Sequence, residues 1–392
     1  MTYPKTCATL VVAILVSCTG VIAAPYDGLV VFGDSLSDNG NYFISTHGTP
    51  PPPYFNGRFT NGPNYVDDVA TSLGLKITPS LAGGTDFAYN GGRTSGNPPF
   101  DVLSQVSAYT STAIAPDPHA LYVIFAGVNN VSDALQAAAT NPANTATIAA
   151  TAIQHGVSDL HTALERLADF GAKDVVVPNV PNIGLSPLVT GLGPTAVALA
   201  TGVTASFDQA LDAMLDQQSH LHIIRFNSFS FLNTVAAHPA QFGLTNVTEA
   251  CYSGDDLNFT GTGHVCSSPG SYFFWDEFHP TATIHTLFGQ ALYAAVIPEP
   301  ATWLLFGSGV AVLVGMRRQM AWTVTVKGDR KETRSQWSWV CCHEIGWNGL
   351  SRSFRLPMYG KPEKVSASLK DGMLVLHVPK REEATPRRIG IS

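Results

Sequence analysis

The sequence predicts an α/β fold around a buried parallel sheet, because short apolar segments alternate with long Ala-rich amphipathic ones from about Tyr26 to Pro298. Four apolar segments are strand candidates: 28–33, 120–127, 174–180 and 222–226. The long segments 144–171 and 194–218 separate later strands and start near Asn, Thr or Pro, as helices do. Such βαβ units form sites at the carboxyl ends of their strands, where Ser35 and Asn129 lie.

Length and composition allow one large domain or two ordinary ones in the 392 residues. An apolar content of 45% supports a real core. The net charge of −7 hides an asymmetry: 7 Lys and Arg stand against 22 Asp and Glu before Arg317, and 15 against 7 from Arg317 onward. This change indicates a segment boundary, and the acidic part has no basic, aromatic-rich patch for nucleic acid.

The N-terminus, residues 1–23, reads as an export signal. Lys5 precedes the apolar run CATLVVAILV, which is short for a membrane span, and small residues suit cleavage near Ala23. An alternative reading makes Cys18 the acylated residue of a lipoprotein signal. Export places Cys251 and Cys266 in an oxidising compartment, where they are disulfide candidates. Their spacing is no zinc pattern, and no metal site is predicted.

A second boundary begins at the Pro-Glu-Pro of residues 298–300, which breaks any preceding helix. The apolar run 301–316 and then the pair Arg317 and Arg318 follow. An apolar helix followed by basic residues is the arrangement of a membrane anchor whose basic end lies in the cytoplasm. The alternative is a buried core helix. The order Pro-Glu-Pro, apolar helix and arginines resembles the PEP-CTERM sorting signal of exported bacterial proteins, although 74 further residues follow it here.

Ser35, in FGDSLSDNGN (32–41), is a nucleophile candidate that lacks the G-x-S-x-G elbow of common serine hydrolases. A serine needs a histidine to take its proton, and that histidine needs a carboxylate to fix its tautomer. Of the twelve histidines, His279 is the candidate, because Asp276 lies three residues earlier. On a helical turn this spacing puts both side chains on the same side. Pro280 then suits the first turn of the next helix. Oxyanion donors could come from the Gly91 backbone and the Asn129 side chain.

The order of four stretches resembles the GDSL lipase/esterase family, also called SGNH hydrolases: FGDSLSDNGN, FAYNGG (87–92), GVNN (127–130) and DEFHP (276–280). The segments 56–70 and 176–187 resemble further hallmarks of its larger secreted branch. The resemblance implies Ser35, Asp276 and His279 as the catalytic triad, and the Ser35 N–H, Gly91 and Asn129 as the oxyanion hole. It also implies a flavodoxin-like three-layer sandwich and no cofactor. Asn130 departs from the family, which usually has Asp there. Asp86, just before the second stretch, and Asn90 and Gly92 within it are further departures.

The tail from residue 321 reads differently, with strand alternation in TVTVK and MLVLHVPK around a KDG turn. LKDGMLVLHVPK and the final Ile389 and Ile391 resemble the C-terminal part of the α-crystallin domain of small heat-shock proteins. The opening strand of that domain has no counterpart, so an incomplete all-β segment is expected. A gene fusion, frameshift or assembly error would explain how it came to follow an exported enzyme.

The predicted organisation is therefore a signal peptide (1–23), a hydrolase domain (24–297), a sorting signal or anchor (298–320) and a partial α-crystallin-like segment (321–392). The expected function is that of an exported serine esterase or lipase, periplasmic or at the cell surface, tethered by the 301–316 helix before processing. Its partners are an ester of a lipid, a small molecule or a polysaccharide, and the membrane. Holdase activity of the tail is the alternative function. A third possibility, a catalytically dead protein that only binds lipid or carbohydrate, would need a degraded triad, whereas Ser35, Asp276 and His279 are all present. The sequence does not specify the acyl chain and alcohol of the substrate or the oligomeric state.

Overall fold

The central sheet of the computed structural model consists of four parallel strands in the order β1-β2-β3-β4. The structure describes residues 26–112, 116–254 and 261–297 and four strands in the C-terminal region. The strands are β1 (Gly28–Gly33), β2 (Ala120–Phe125), β3 (Asp174–Pro178) and β4 (His222–Phe226). Every residue of β2 is buried, as expected of a strand covered on both faces. The predicted α/β class and its parallel sheet are confirmed.

The connections between these strands are helical. The described α-helices are α1 (Asn41–Ser45), α2 (Tyr65–Ser72), α3 (Val102–Ser111), α4 (Val128–Thr140), α5 (Thr145–Phe170), α6 (Pro187–Thr190), α7 (Pro194–Leu215), α8 (Ser228–Ala237) and α9 (Ala282–Val296). Short 3-10 turns occupy Ser80–Ala82, Pro142–Asn144, Ile183–Leu185, Pro239–Phe242 and Pro269–Ser271. The two long Ala-rich segments form α5 and α7, as predicted.

Two groups of helices cover opposite faces of the sheet. On β2 the ring of Tyr122 contacts Tyr109 of α3, whereas Phe125, three residues on and therefore on the other face, stacks on Phe288 of α9. Helix α2 packs against α9, and α5 packs against α3, α4 and α7. The result is a helix–sheet–helix arrangement of three layers.

A hydrogen-bonded cap fixes the start of α2 beside the end of β1. The Asn64 side chain accepts the backbone N–H groups of Val66 and Asp67, and the Asp67 carboxylate accepts the Asn64 N–H, which completes a capping box. The amide of Asn64 also donates to the carbonyls of Ser37 and Asp38. The loop that follows β1 is thereby attached to α2.

Small sheets lie between α8 and α9. Strand β5 (Asn246–Ala250) pairs in parallel with β8 (Tyr272–Phe274), and β6 (Tyr252–Gly254) forms an antiparallel pair with β7 (Gly263–Val265). A disulfide joins Cys251 and Cys266, which flank the β6–β7 pair. This region precedes the Asp276–His279 segment.

The C-terminal region belongs to a separate unit with two antiparallel strand pairs. Strand β9 (Thr323–Gly328) pairs with β10 (Leu350–Arg355), and β11 (Ser366–Lys370) pairs with β12 (Met373–His377). The strand predicted in TVTVK is confirmed, and that predicted in MLVLHVPK is confirmed over Met373–His377. The export signal with Cys18, the apolar run 301–316 and the Ile389–Ile391 motif lie outside the described residues. Within the part that is described, no helix is both long and apolar enough to cross a membrane.

Candidate active site

Ser35 lies in the tight turn that directly follows β1. The backbone N–H groups of Ser37 and Asp38 both donate to the Asp34 carbonyl, and the Leu36 N–H donates to the Asp34 carboxylate. This turn holds the Ser35 side chain at the carboxyl end of the sheet, where it is buried except for 7% of its surface. The position is the one expected for a site in an open parallel sheet.

Ser35, His279 and Asp276 form one line of hydrogen bonds. The Ser35 Oγ lies 2.9 Å from the His279 Nε2, and the His279 Nδ1 lies 2.8 Å from the Asp276 Oδ2. The three residues come from positions 244 apart at the widest, so only the fold brings them together. A hydroxyl, an imidazole and a carboxylate in this order can activate the hydroxyl as a nucleophile.

The predicted helical turn between Asp276 and His279 is wrong. These residues follow β8 in a non-helical bend, and α9 starts only at Ala282 after Pro280, which bridges back to Phe274. The Asp276 Oδ1 accepts the N–H of Phe278 at 2.8 Å and that of His279 at 2.6 Å. A carboxylate that binds the backbone two and three residues ahead makes an Asx turn, and this turn brings the two side chains together.

Tyr54 supports the carboxylate and was missed by the sequence analysis. Its hydroxyl donates to the Asp276 Oδ2 at 2.9 Å, so that this oxygen accepts from both Tyr54 and His279. Burial acts to raise the pKa of Asp276, but the charge of His279 and the hydrogen bonds outweigh it and hold that pKa below its usual value. Asp276 is therefore ionised at neutral pH.

A second buried carboxyl, Asp34, precedes the serine. Burial raises its pKa to about 7, against smaller lowering effects of the Leu36 N–H and of His279. Its Oδ1 accepts the Leu36 N–H at 3.0 Å, and its buried Oδ2 has no hydrogen-bond partner among the described residues. The site thus combines one ionised carboxylate and one carboxyl that retains its proton up to about neutral pH.

The segment that contains Gly91 runs beside the end of β1. The N–H groups of Phe87 and Tyr89 donate to the carbonyls of Val31 and Gly33, as an added strand would. Gly91 has a φ of +69°, a conformation that favours glycine, and a Cβ at this position would meet nothing within 4 Å. Its backbone is therefore accessible from the side where a Cβ would lie.

Asn129 is bound to the same segment. It lies in the first turn of α4, after β2, and its Nδ2 donates to the Gly92 carbonyl at 2.9 Å. Gly92 itself is packed, because a Cβ there would lie 2.7 Å from the Gly33 carbonyl. The structure therefore holds Asn129 against Gly92, the residue after Gly91, in the segment that runs beside the end of β1. Ser35 follows Gly33, the last residue of β1, by two positions.

The departure at Asn130 has a structural role. Its Oδ1 accepts the Thr94 N–H at 3.0 Å and its Nδ2 donates to the Thr94 Oγ1 at 2.9 Å. An aspartate could accept the N–H but could not donate to the hydroxyl. Asn130 therefore fixes the loop after Gly91 and Gly92 through two hydrogen bonds.

An aromatic cluster lies behind the triad. The rings of Tyr252 and Trp275 stack at 5.5 Å, and Tyr54 meets both edge-on. Tyr252 directly follows the disulfide-bonded Cys251. Tyr54 is therefore held between a buried aromatic pair and Asp276, which fixes the direction of its hydroxyl.

A mostly apolar cavity of about 50 Å³ has walls formed in part by sequence neighbours of the triad. Leu36, Val128 and Phe278, each next in sequence to a residue predicted for the site, lie in its wall. The 3-10 turn Ile183–Leu185 forms another part. A smaller cavity of about 20 Å³ shares Leu36, Leu232 and Pro280 with it. Ligand pockets are likewise lined mainly by apolar side chains. The described residues include no group of His, Cys, Asp or Glu side chains that could hold a metal ion.

Three family models match the chain. The GDSL-like lipase/acylhydrolase model matches residues 29–292, the PEP-CTERM protein-sorting motif matches 296–319, and the Hsp20/alpha crystallin family matches 316–392. The predicted resemblances to all three are confirmed. The sorting motif indicates export to the cell surface or the periplasm.

The chain is similar to curated proteins named as an acyltransferase and as esterases or lipases. It is 26% identical over 322 residues to the phosphatidylcholine-sterol acyltransferase of Aeromonas hydrophila, and the alignment covers 70% of this chain and 89% of that protein. It is 27% identical over 384 residues to the esterase EstA of Pseudomonas aeruginosa, over 83% of this chain but only 54% of the esterase.

Solved structures of similar proteins are more distant. A lipase from a goat rumen metagenome matches with a TM-score of 0.39 at 13% identity, over 69% of this chain and 98% of its own. A member of the lipolytic G-D-S-L family from Veillonella parvula matches with a TM-score of 0.37 at 13% identity, over 70% of this chain and 99% of its own. With its family model matched over residues 29–292, the chain belongs to the GDSL-like lipase/acylhydrolase family and is a hydrolase of ester bonds.

Proposed function

We propose that the chain hydrolyses carboxylic esters through an acyl-enzyme formed on Ser35. The continuous line of hydrogen bonds from Ser35 through His279 to Asp276 carries this proposal. His279 accepts the Ser35 proton at Nε2 as the Oγ attacks the ester carbonyl, and then gives that proton to the leaving alcohol. Water next attacks the acyl-enzyme with His279 again as base, and Ser35 is regenerated. Asp276 keeps the proton of His279 on Nδ1 and stabilises its cationic form.

The tetrahedral intermediate would be stabilised by three donors at the end of β1. These are the N–H groups of Ser35 and Gly91 and the side-chain amide of Asn129. Among the hydrogen bonds of the described residues, the N–H groups of Ser35 and Gly91 have no protein acceptor, which leaves them available to an oxyanion. Asn129 uses one amide hydrogen for Gly92 and keeps a second.

The acyl group of the substrate would lie in the apolar cavity beside Ser35. Leu36 and Phe278 place that cavity next to the nucleophile and the base. Its apolar wall favours an ester with a hydrocarbon acyl chain, as found in lipids, acylated small molecules and polysaccharide esters. Tethering to the inner membrane through residues 301–316 before processing belongs to the same proposal, and it agrees with the match to the sorting motif.

Ser35→Ala provides the test. The variant is expected to lose hydrolysis of a short-chain nitrophenyl ester while it keeps the circular dichroism spectrum of the wild type. A fluorophosphonate probe should label the wild type at Ser35 and leave the variant unlabelled. Full activity in the variant would contradict the assignment, and a wild type that takes no label would indicate a protein that only binds its ligand.

A holdase activity of the C-terminal region is a second candidate function. The match of residues 316–392 to the Hsp20/alpha crystallin family and the strand pairs β9–β10 and β11–β12 support it. The full-length Ser35→Ala protein should then suppress the thermal aggregation of a client such as citrate synthase. The same protein with Ile389 and Ile391 replaced by serine should suppress it less. Equal aggregation with and without the protein would eliminate this function.

A further inference from the structure

A long stretch of the chain beside the cavity has no charge. From Val175 to Phe207 the sequence contains no Asp, Glu, Lys, Arg or His over 33 residues. Part of this stretch is strand β3 and is buried, but α6, the loop after it and the start of α7 lie at the surface. Leu188 is 45% exposed and Leu192 is 73% exposed. We call residues 187–199, which end with the exposed Leu199, the leucine corner.

The leucine corner is attached to the catalytic segment. The N–H of Leu188 donates to the Glu277 carbonyl at 3.0 Å, and Glu277 lies between Asp276 and His279. The Ser186 side chain accepts the Val189 N–H and caps α6, and Ser186 itself lies in the wall of the apolar cavity. The exposed Leu188 therefore follows the cavity wall by two residues along the chain.

The leucine corner has no charged residue of its own, and the exposed Glu277 adjoins it with a negative charge. Exposed apolar surface often marks a contact with a protein or a membrane. We propose that the leucine corner docks into the surface of zwitterionic lipid, so that acyl chains pass from the lipid to the cavity. The attachment of the corner to the cavity wall at Ser186 and to the catalytic segment at Glu277 argues for a lipid occupant. The absence of Lys and Arg from 175–207 and a net charge of −15 before Arg317 argue against attraction to anionic headgroups.

This inference rests on the proposed function, because the cavity receives an acyl chain only if Ser35 attacks esters. It adds a surface, distinct from the triad, that sets which physical form of the ester is attacked. Esters packed in a bilayer or micelle would be preferred over the same esters dissolved as monomers. A second copy of the chain is the competing occupant of the leucine corner.

Hydrogen exchange locates the contact within the full chain. Full-length Ser35→Ala is measured with and without vesicles of phosphatidylcholine, so that hydrolysis cannot alter the lipid. The amides of 187–199 are expected to exchange at least about tenfold more slowly with vesicles, while those of the turn Ser80–Ala82 keep their rates. Local measurement separates this surface from any binding through residues 301–316. Unchanged exchange at 187–199 would overturn the proposal.

Kinetics of matched variants complete the test. Leu188→Ser combined with Leu192→Ser removes two exposed leucines of the corner, and Leu81→Ser removes a leucine that is 50% exposed on another segment. The double variant should lose at least about tenfold of kcat/KM on phosphatidylcholine vesicles. It should stay within about twofold of the wild type on a soluble short-chain nitrophenyl ester, and Leu81→Ser should match the wild type on both substrates.

The outcomes separate this inference from the proposed function. Equal kinetics of the double variant and Leu81→Ser on vesicles would overturn the docking surface and leave the esterase. A wild type that hydrolyses neither substrate, but whose vesicle protection at 187–199 disappears in the double variant, would contradict the esterase and support the surface. A wild type that sediments as a dimer, with the double variant a monomer and no vesicle protection, would assign the corner to a second copy and overturn the lipid.

Discussion

The hydroxyl of Tyr54 and the Nδ1 of His279 both donate to one oxygen of Asp276, the Oδ2. Because a hydrogen bond to a charged group contributes about 1.5–3 kcal/mol, Tyr54→Phe should lower the free energy of unfolding at pH 7 by about that amount. The pKa of Asp276 should rise, since one donor to its ionised form is lost. The kcat/KM for a soluble ester is expected to fall about three- to tenfold. Steady-state kinetics measures this loss, and urea unfolding measures the change in stability.

Tyr293→Phe is the matched control for this variant, because it removes a hydroxyl near the end of α9 and leaves the triad intact. If Tyr54→Phe and Tyr293→Phe reduced kcat/KM and stability equally, the bond from Tyr54 would have no special role at the site.

Asp276→Asn should damage the site through the histidine tautomer. The Oδ1 of Asp276 accepts two backbone N–H groups, so the carbonyl oxygen of an asparagine would keep that position and turn its NH₂ toward the His279 Nδ1. The Nδ1 must then accept, the proton moves to Nε2, and Nε2 can no longer take a proton from Ser35. We expect kcat to fall by about 10² to 10⁴. A pre-steady-state burst with a nitrophenyl ester that is as fast as in the wild type would contradict this mechanism.

The sequence predicted the parts of this site whose signal is local. Ser35, Gly91 and Asn129 each follow a strand or lie in a glycine turn, and His279 has a carboxylate three residues away. The predicted helical turn at Asp276 failed because two backbone N–H groups bind its carboxylate and bend the chain into another shape. Nothing near Tyr54 points to Asp276, which is 222 residues distant, so this contact exists only through the fold.

The disulfide between Cys251 and Cys266 should stabilise the segment that carries Asp276 and His279. The Tyr252 N–H donates to the Trp275 carbonyl at 2.6 Å, and the Trp275 N–H donates to the His279 carbonyl at 2.7 Å. For cysteines 15 residues apart, loss of the bond in Cys251→Ser with Cys266→Ser should cost about 3 kcal/mol. We expect the Tm to fall by about 6–12 °C by calorimetry.

A reductant provides the control for this pair. Dithiothreitol should lower the Tm of the wild type toward that of the double variant and should leave the double variant unchanged. An equal shift in both proteins would assign the effect of the reductant to another disulfide.

Asp208 should make stability fall as the pH rises. Burial raises its pKa from 3.8 to about 8, and its Oδ2 has no hydrogen-bond partner among the described residues. Between pH 4 and 8 the unfolded chain has released this proton while the folded chain keeps it. The free energy of unfolding therefore falls by up to about 1.4 kcal/mol per pH unit through this group. Asp208→Asn should equal the wild type near pH 4 and exceed it by a few kcal/mol at pH 8.

Urea unfolding at pH 4, 6 and 8 measures this effect. In the variant the asparagine Oδ1 can still accept the Val180 N–H, which Asp208 accepts at 2.9 Å. Asp169→Asn, on the exposed side of α5, serves as the control. Its free energy of unfolding should change between pH 4, 6 and 8 as that of the wild type does. A difference between Asp208→Asn and the wild type that did not grow with pH would show that the carboxyl ionises normally in the folded protein.

Leu185 should limit the length of the acyl chain, because it belongs to the cavity wall in the turn Ile183–Leu185. Each methylene that enters an apolar site contributes about 0.8 kcal/mol, so kcat/KM of the wild type should rise about fourfold per methylene until the cavity is filled. Leu185→Trp fills part of that space and should lower the decanoate-to-acetate ratio of kcat/KM at least about tenfold, whereas Leu185→Met, of similar volume, should keep it. A panel of nitrophenyl esters from acetate to dodecanoate measures the ratio. If Leu185→Trp and Leu185→Met gave the same profile, the acyl chain would have to bind elsewhere.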